Sequence, residues 1–500
     1  MTAGAQPPRG AGLFPVGHEI AEPRRSVGFS PTSPAEVTSR PILFPDEGHG
    51  LTIAPTGAGK GTSCITPALL TYPGPIIVVD PTGMSAAVTA AYRRSLGHDV
   101  CVIDPMGVSG QPVSRFNPLD LIDPTKLDAV DLAKAIAEVL QAREPDGRNA
   151  YWNNRATHVV SIGALGVATD ERPSRRNLGS LRRLIELLAR GTDGGPAAAL
   201  RRLAASRHPE VRGLSAMFET GETESRATIM QVVLDSIGFI SGPQIEASLS
   251  RSDFSLDDVT EGKPLTIYLV LPAHMMTSHA PLLRLWLATL FAAIMRRRRR
   301  PPVPTLMILD EAAQLGRFAP LLSAITLLRN YGLSCWTFFQ DAAQLLSIWG
   351  PDAATIRNNC RLVQGFGHQS QITRDDFAAF IGMPNGLAPD EPLPPEQAIV
   401  QLDGRVLRAE RRDYRTDPTL RARAGPNPFF AEDGPIARPR KSVPRGYLRP
   451  VARKPKHKAP DPAERDGQAS VLRDPQAVLH LHELIDERLK RRAAKAGGAT

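Results

Sequence analysis

The run GLTIAPTGAGKGT, Gly50 to Thr62, carries residue types that could hold a polyphosphate. Gly57 and Gly59 allow the backbone to curl until successive N–H groups point into one concavity. Lys60 adds a point charge for the terminal phosphates, and a helix beginning near Thr62 adds its partial positive charge. Pro55, Thr56, Gly57, Ala58, Gly59, Lys60, Gly61 and Thr62 are therefore the candidate nucleotide-binding residues. The pattern is a Walker A loop with two departures. Ala54 stands where the first glycine would be, and Gly61 where the Mg2+-binding Ser or Thr would be. Thr62, one position on, is the candidate hydroxyl for Mg2+. Farther along, the apolar run LMIL leads into Asp310 and Glu311. Asp310 would bind Mg2+ through water, and Glu311 would orient and deprotonate the water that attacks the γ-phosphate of ATP. Gln340 closes LSCWTFFQ and is a candidate phosphate sensor. Arg329 is either a surface arginine or a finger reaching a neighbouring subunit's nucleotide. Lys60, Glu311, Gln340 and Arg329 are thus the candidate catalytic residues. Each motif has a plainer reading: a glycine-rich turn with a surface lysine, acids that cap a helix, an amide that satisfies a turn.

These residues need a sheet to bring them together. Apolar or β-branched runs at Leu51–Ala54, Pro75–Asp80, Asp99–Asp104, Leu265–Leu271, Thr305–Asp310, Leu333–Phe339 and Arg361–Phe366 read as buried strands. Helical stretches lie between them, as a parallel sheet with crossovers requires. Open parallel sheets place ligands at the C-terminal ends of their strands, where Asp310, Glu311 and Gln340 emerge. Ala398–Glu410 reads as a hairpin turning at Asp403-Gly404. The fold class is α/β, built on a central, mostly parallel sheet. Residues 41–169 and 250–415 form this P-loop domain, and 170–249, with helical patterns and no strand, form an all-α insertion. Residues 1–40 read as an irregular Pro/Gly/Ser-rich arm. Residues 416–500 read as a basic, mostly disordered tail with a helix near 475–495. The apolar positions of that helix are Val478, Leu479, Leu481, Ile485 and Leu489. Helix Ala280–Met295 ends in five arginines, Arg296 to Arg300, read as a solvated loop in preference to a DNA contact.

The net charge of +9 favours an anionic partner, nucleic acid ahead of membrane surface. Four cysteines are scattered without a C-x-x-C pair, which argues against a disulfide framework or a zinc site and fits a reducing compartment. No apolar stretch is long enough to span a bilayer; the best candidate, Leu282–Met295, is short and carries Arg284. The expectation is a soluble, cytoplasmic chain, peripheral at the inner membrane through partners.

Taken together, APTGAGKG (54–61), IIVVDP (76–81), FNPLD (116–120), WNNRA (152–156), LMILDEAAQLG (306–316), RNYGLSCWTFFQ (329–340) and NNC (358–360) resemble the type IV secretion coupling proteins. These are the TraG/TraD-like conjugative DNA-transfer ATPases, and the resemblance runs from about Pro41 to Tyr414. It implies a RecA-like motor domain that assembles as a homo-hexamer, with ATP and Mg2+ as cofactors. It also implies an all-α domain that receives relaxase–DNA or protein substrates, and secretion-channel components as partners. Lys60 and Thr62 would contact phosphate and Mg2+, Asp310 and Glu311 would take the Walker B roles, Gln340 the sensor role, and Arg329 that of a finger acting in trans. The chain departs from the family in having no N-terminal transmembrane pair, and in reading Asp80-Pro81-Thr82-Gly83-Met84 where D-P-K-G-E is usual. The leading expectation is an ATP-hydrolysing coupling protein that recruits DNA or nucleoprotein and drives it into a secretion channel. Two others stand beside it: a non-hydrolysing nucleotide-binding adaptor, and an FtsK/HerA-like DNA pump outside secretion.

Overall fold

Among the described residues the apolar runs fold into an 11-stranded sheet. Its strands are β1 (Pro15–Glu19), β2 (Pro41–Leu43), β3 (His49–Ile53), β4 (Ile76–Val79), β5 (Asp99–Ile103) and β6 (Leu265–Leu269), followed by β7 (Thr305–Leu309), β8 (Leu333–Phe339), β9 (Cys360–Gly365), β10 (Gln397–Leu402) and β11 (Arg405–Arg411). This computed structural model describes residues 13–20, 40–45, 47–141, 150–189, 195–220, 223–383 and 391–428. The spatial order is β2-β1-β11-β10-β9-β3-β8-β7-β4-β6-β5. From β9 to β5 every pairing is parallel. Beyond β9 the sheet continues antiparallel through β10, β11, β1 and β2.

Successive strand side chains point to opposite faces, so each central strand feeds two cores. Leu51, Ile53, Ile77, Val79 and Met307 face one side, against helices Ala129–Leu140, Ala150–Asp170 and Ala280–Met295. Ile76, Val78, Tyr268, Ile308 and Trp336 face the other, against helices Thr66–Thr71 and Met84–Ser95. Strands buried on both faces are what continuous apolar runs predict. Between β5 and β6 the described residues are helical and contain no strand, with helices at Leu178–Ala189, Gly195–Ala204, Pro209–Thr220, Thr223–Ile237 and Pro243–Ser248. Helix Ala150–Asp170 runs into this region unbroken and packs on both Ala129–Leu140 and Thr223–Ile237.

Three expectations need correction. The arm 1–40 contains β1, which pairs with β11 and β2 and buries Phe14 against Phe44 with the rings stacked 5.0 Å apart. Pro and Gly content hid it because its pairing partner lies nearly the whole chain away. The tail 416–500 begins with an ordered segment: helix Pro418–Arg423 buries Leu420, and Arg423 donates to the Leu70 carbonyl at 3.0 Å. The helix expected near 475–495 lies outside the described residues. Finally, the arginine run is not uniformly solvated. Arg297 is buried and donates to the carbonyls of Val259, Thr260, Tyr331 and Gly332 and to the Thr305 hydroxyl, at 2.7–3.2 Å. Among the described residues no helix is long and apolar enough to cross a membrane.

Candidate nucleotide site

Strand β3 ends at Ile53, and the chain then curls through Ala54–Lys60 before helix Thr66–Thr71. Gly57 and Gly59 take φ of 82° and 93°, left-handed values that side chains disfavour, which is why the loop needs glycine there. Helical winding starts at Gly61, next to Thr62, but Gly61–Ile65 is wound as a π turn before the regular helix. A π turn absorbs one extra residue, which suits a sequence whose hydroxyl has slipped from position 61 to 62. The Thr62 hydroxyl donates to the Gly59 carbonyl at 3.3 Å.

Lys60 is buried, and its ammonium donates to the carbonyls of Ala54 at 2.8 Å and Pro55 at 3.4 Å. It also lies 3.5 Å from Oε1 of Glu311, and Gln340 Nε2 donates to the other Glu311 oxygen at 3.1 Å. Lys60, Glu311 and Gln340 thus converge from the C-terminal ends of β3, β7 and β8, which are neighbours in the sheet. Glu311 holds a left-handed backbone, φ 58°, which is uncommon for a residue with a Cβ. That conformation turns its side chain back over the strand ends.

Asp310 sits beside this trio. Burial, reinforced by the Glu311 carboxylate, pushes its carboxyl up to about 7, while Lys60 pulls the other way. Its Oδ1 is occluded and has no hydrogen-bond partner in the protein. An oxygen buried at such cost fits a cation or a bound water that only a ligand brings. Among the described residues no group of three or more His, Cys, Asp or Glu side chains could hold a metal. A cation held by Asp310 and Thr62 would therefore draw its remaining oxygens from phosphate and water, as Mg2+ does.

Arg329 is not part of this convergence. It lies on the turn Leu328–Tyr331 that precedes β8, while Gln340 follows that strand, so the two stand at opposite ends of the strand. It is half-exposed, 3.9 Å from Glu47 just before β3. The Thr82/Met84 turn is ordered by Asp80, whose carboxylate accepts from the Thr82, Gly83 and Ala86 amides at 2.9–3.3 Å. A Cβ on Gly61 would stand 2.9 Å from the Met84 methyl, so two of the sequence departures touch each other.

The sequence did not single out Arg411, at the end of β11. Its guanidinium donates to the Ala58 carbonyl at 3.0 Å and the Ser63 hydroxyl at 2.9 Å, and it lies 3.9 Å over the Phe366 ring. No local motif marks it, because its place depends on the hairpin joining the sheet two strands from β3.

A family model described as "Type IV secretory system Conjugative DNA transfer" matches residues 30–382. The chain is similar to the type IV secretion system-coupling protein VirD4 of Bartonella quintana (strain Toulouse), 25% identical over 61% of this chain and 48% of the relative. It is also similar to the conjugal transfer protein TraG of Agrobacterium fabrum (strain C58 / ATCC 33970), 25% identical over 62% of this chain and 46% of the relative. The chain spans about half the length of these relatives. Among solved structures, the unbound bacterial conjugative coupling protein TrwBdeltaN70 aligns with a TM-score of 0.55, at 18% identity, over 72% of this chain and 83% of the other. TrwB in complex with ADP and Mg2+ aligns with a TM-score of 0.55, at 17% identity, over 74% and 87% of the two chains. At that identity the likeness is one of fold, and the fold is RecA-like. The match covers more than half of the sequence and falls on the domain that brings Lys60, Glu311 and Gln340 together, so this chain belongs to the type IV secretory system conjugative DNA-transfer family.

Proposed function

We propose that this chain is a nucleotide-driven coupling ATPase that recruits DNA or nucleoprotein and drives it toward a type IV secretion channel. The observation that carries the reading is the convergence of Lys60, Glu311 and Gln340 around the two oxygens of one carboxylate. Bound with ATP, Mg2+ would neutralise charge on the β- and γ-phosphate oxygens. The protein's own residues do the rest. The amides of 57–61 and the Lys60 ammonium bind phosphate, Lys60 leaving the Ala54 carbonyl and Glu311 to do so. Freed from that ion pair, Glu311 takes the proton of the attacking water as its oxygen bonds to the γ-phosphorus and the β–γ bridging P–O bond breaks. Gln340, already hydrogen-bonded to Glu311, orients that carboxylate and reports whether the γ-phosphate is present. Arg329, remote from its own chain's site, serves a neighbour's nucleotide in a homo-hexamer.

The domain reading follows from this: a motor built from 41–169 and 250–415 and completed by strand β1 and helix Pro418–Arg423, and a helical region within 170–249 that meets relaxase or other cargo. Inner-membrane contact comes through channel partners. DNA would be gripped through its phosphates, so binding should fall steeply with salt.

ATP hydrolysis, measured with and without single- and double-stranded DNA, tests the reading. We expect DNA-stimulated turnover that Glu311→Gln lowers about a hundredfold or more, with ATP binding retained. Binding without turnover, with or without DNA, would overturn the motor and leave a nucleotide-binding adaptor. That second reading draws on one observation, the Met84 methyl 2.9 Å from where the Cβ of a Walker A Ser or Thr would stand at position 61.

A further inference from the structure

The phosphate loop has an outer wall as well as an inner one, and the outer wall is held by a residue from the far end of the domain. Arg411 Nη1 donates to the Ala58 carbonyl at 3.0 Å and to the Ser63 hydroxyl at 2.9 Å. Ser63 in turn donates to the Gly59 carbonyl at 2.8 Å. Two successive carbonyls are therefore tied, one directly and one through a hydroxyl, to the same guanidinium. A trans peptide is planar, with its C=O and the following N–H on opposite sides. Fixing the carbonyls of Ala58 and Gly59 toward Arg411 aims the N–H groups of Gly59 and Lys60 away from it, toward the side where phosphate oxygens would be cradled. The Gly59 carbonyl also accepts the Ser63 amide at 2.9 Å, and the tie to Arg411 adds to that hold on a loop whose Gly57 and Gly59, both at positive φ, have wide conformational freedom of their own. Arg411 is itself anchored: it stacks 3.9 Å over Phe366, donates to the Pro395 carbonyl, and its own amide donates to the Glu396 carbonyl at 2.7 Å.

We propose that Arg411 is a positioning residue for triphosphate binding, holding the Ala58 and Gly59 carbonyls outward so that the Gly59 and Lys60 amides face the nucleotide. This rests on the nucleotide-binding reading above. It adds that the β10–β11 hairpin is mechanically part of the site, so that whatever moves the hairpin alters the affinity for nucleotide.

The test is the affinity of the full chain for a fluorescent N-methylanthraniloyl ATP with Mg2+, for wild type, Arg411→Ala, Ser63→Ala and the double variant. Arg411→Ala should weaken binding about tenfold, from loss of charge-assisted hydrogen bonds, and raise KM while leaving kcat within about twofold. Ser63→Ala, which removes only the relay, should weaken it about threefold. Because both act on one loop, the double variant should bind no more weakly than Arg411→Ala alone. Unchanged affinity in Arg411→Ala, or losses that multiply in the double variant, would overturn the proposal; the latter would mean that the guanidinium acts as an independent charge. Should Arg411→Ala fail to fold, Ser63→Ala decides, since it leaves the guanidinium and its stacking in place. Affinity equal to wild type would then overturn the proposal. Failure of the wild-type chain to bind the nucleotide would sink the broader reading instead, and is read separately.

Discussion

His49, at the start of β3, is fully buried, and its Nδ1 accepts a hydrogen bond from the Cys335 amide at 2.9 Å. Burial, with the nearby Arg329 charge adding to it, lowers its pKa to about 4. An unfolded histidine titrates near 6.5, so between pH 6.5 and 4 the unfolded chain binds more protons than the folded one. Stability is therefore complete above pH 6.5 and drains away as pH falls toward 4, by about 2 kcal/mol at pH 5. Protonation at Nδ1 would also break the bond from Cys335. His49→Gln keeps an acceptor but cannot titrate, so its urea midpoint should fall less than that of wild type between pH 7.5 and pH 5. Parallel profiles would mean that His49 does not carry this dependence. At the nucleotide site the residue-scale feature is strain. Glu311 in the left-handed region costs about 1 kcal/mol, and its hydrogen bond from Gln340 and ion pair with Lys60 offset that cost.

Among the elements, the turn before β8 shows how a buried cation can substitute for sequence-local structure. Arg297 reaches from the end of helix Ala280–Met295 to the Tyr331 and Gly332 carbonyls, both at 2.9 Å. It thereby braces the turn that carries Arg329. Arg297→Ala would take a charged donor from the carbonyls of Val259, Thr260, Tyr331 and Gly332 and should cost about 3 kcal/mol or more. Arg298→Ala, one residue on in the same run and exposed, should change stability by less than about 0.5 kcal/mol. Thermal unfolding of the two variants side by side checks this, and equal shifts would contradict it. The N-terminal strand is likewise an element of the fold. Phe14→Ala, at a 1% exposed ring stacked on Phe44, should cost about 3–5 kcal/mol as measured by denaturant unfolding.

At the scale of the whole molecule, the parallel half of the sheet puts Lys60, Glu311 and Gln340 at the C-terminal ends of its strands and Arg329 at the opposite, N-terminal end. A single chain cannot bring Arg329 to its own site without unmaking β8, so its proposed role requires a second copy. Arg329→Ala and Glu311→Gln should each be nearly inactive alone, yet an equal mixture should regain part of the ATPase activity. Sites that pair an intact Glu311 with a neighbour's intact Arg329 then form again. A mixture no more active than its components would rule out action in trans.

Much of this was legible in the sequence because it depends on local order. Apolar runs of strand length, spaced by helical patterns, specify buried parallel strands. A residue that closes such a run, as Glu311 or Gln340 does, must then emerge at the same sheet edge as the loop after β3. What local order does not encode is which distant segments meet. The pairing of β1 with β11, the buried turn of Arg297 and the reach of Arg411 to the phosphate loop all join residues tens to hundreds of positions apart. Their residue types, a Pro- and Gly-containing pentapeptide and two arginines in basic runs, are the commonest marks of exposed chain. The sequence by itself determined the strand rhythm, the phosphate loop and the acidic pair, through periodicity and spacing. Only the tertiary structure decided which cations are buried, which end of the sheet each reaches, and what holds the loop from outside, because those outcomes are set by burial and hydrogen-bond satisfaction across the assembled sheet.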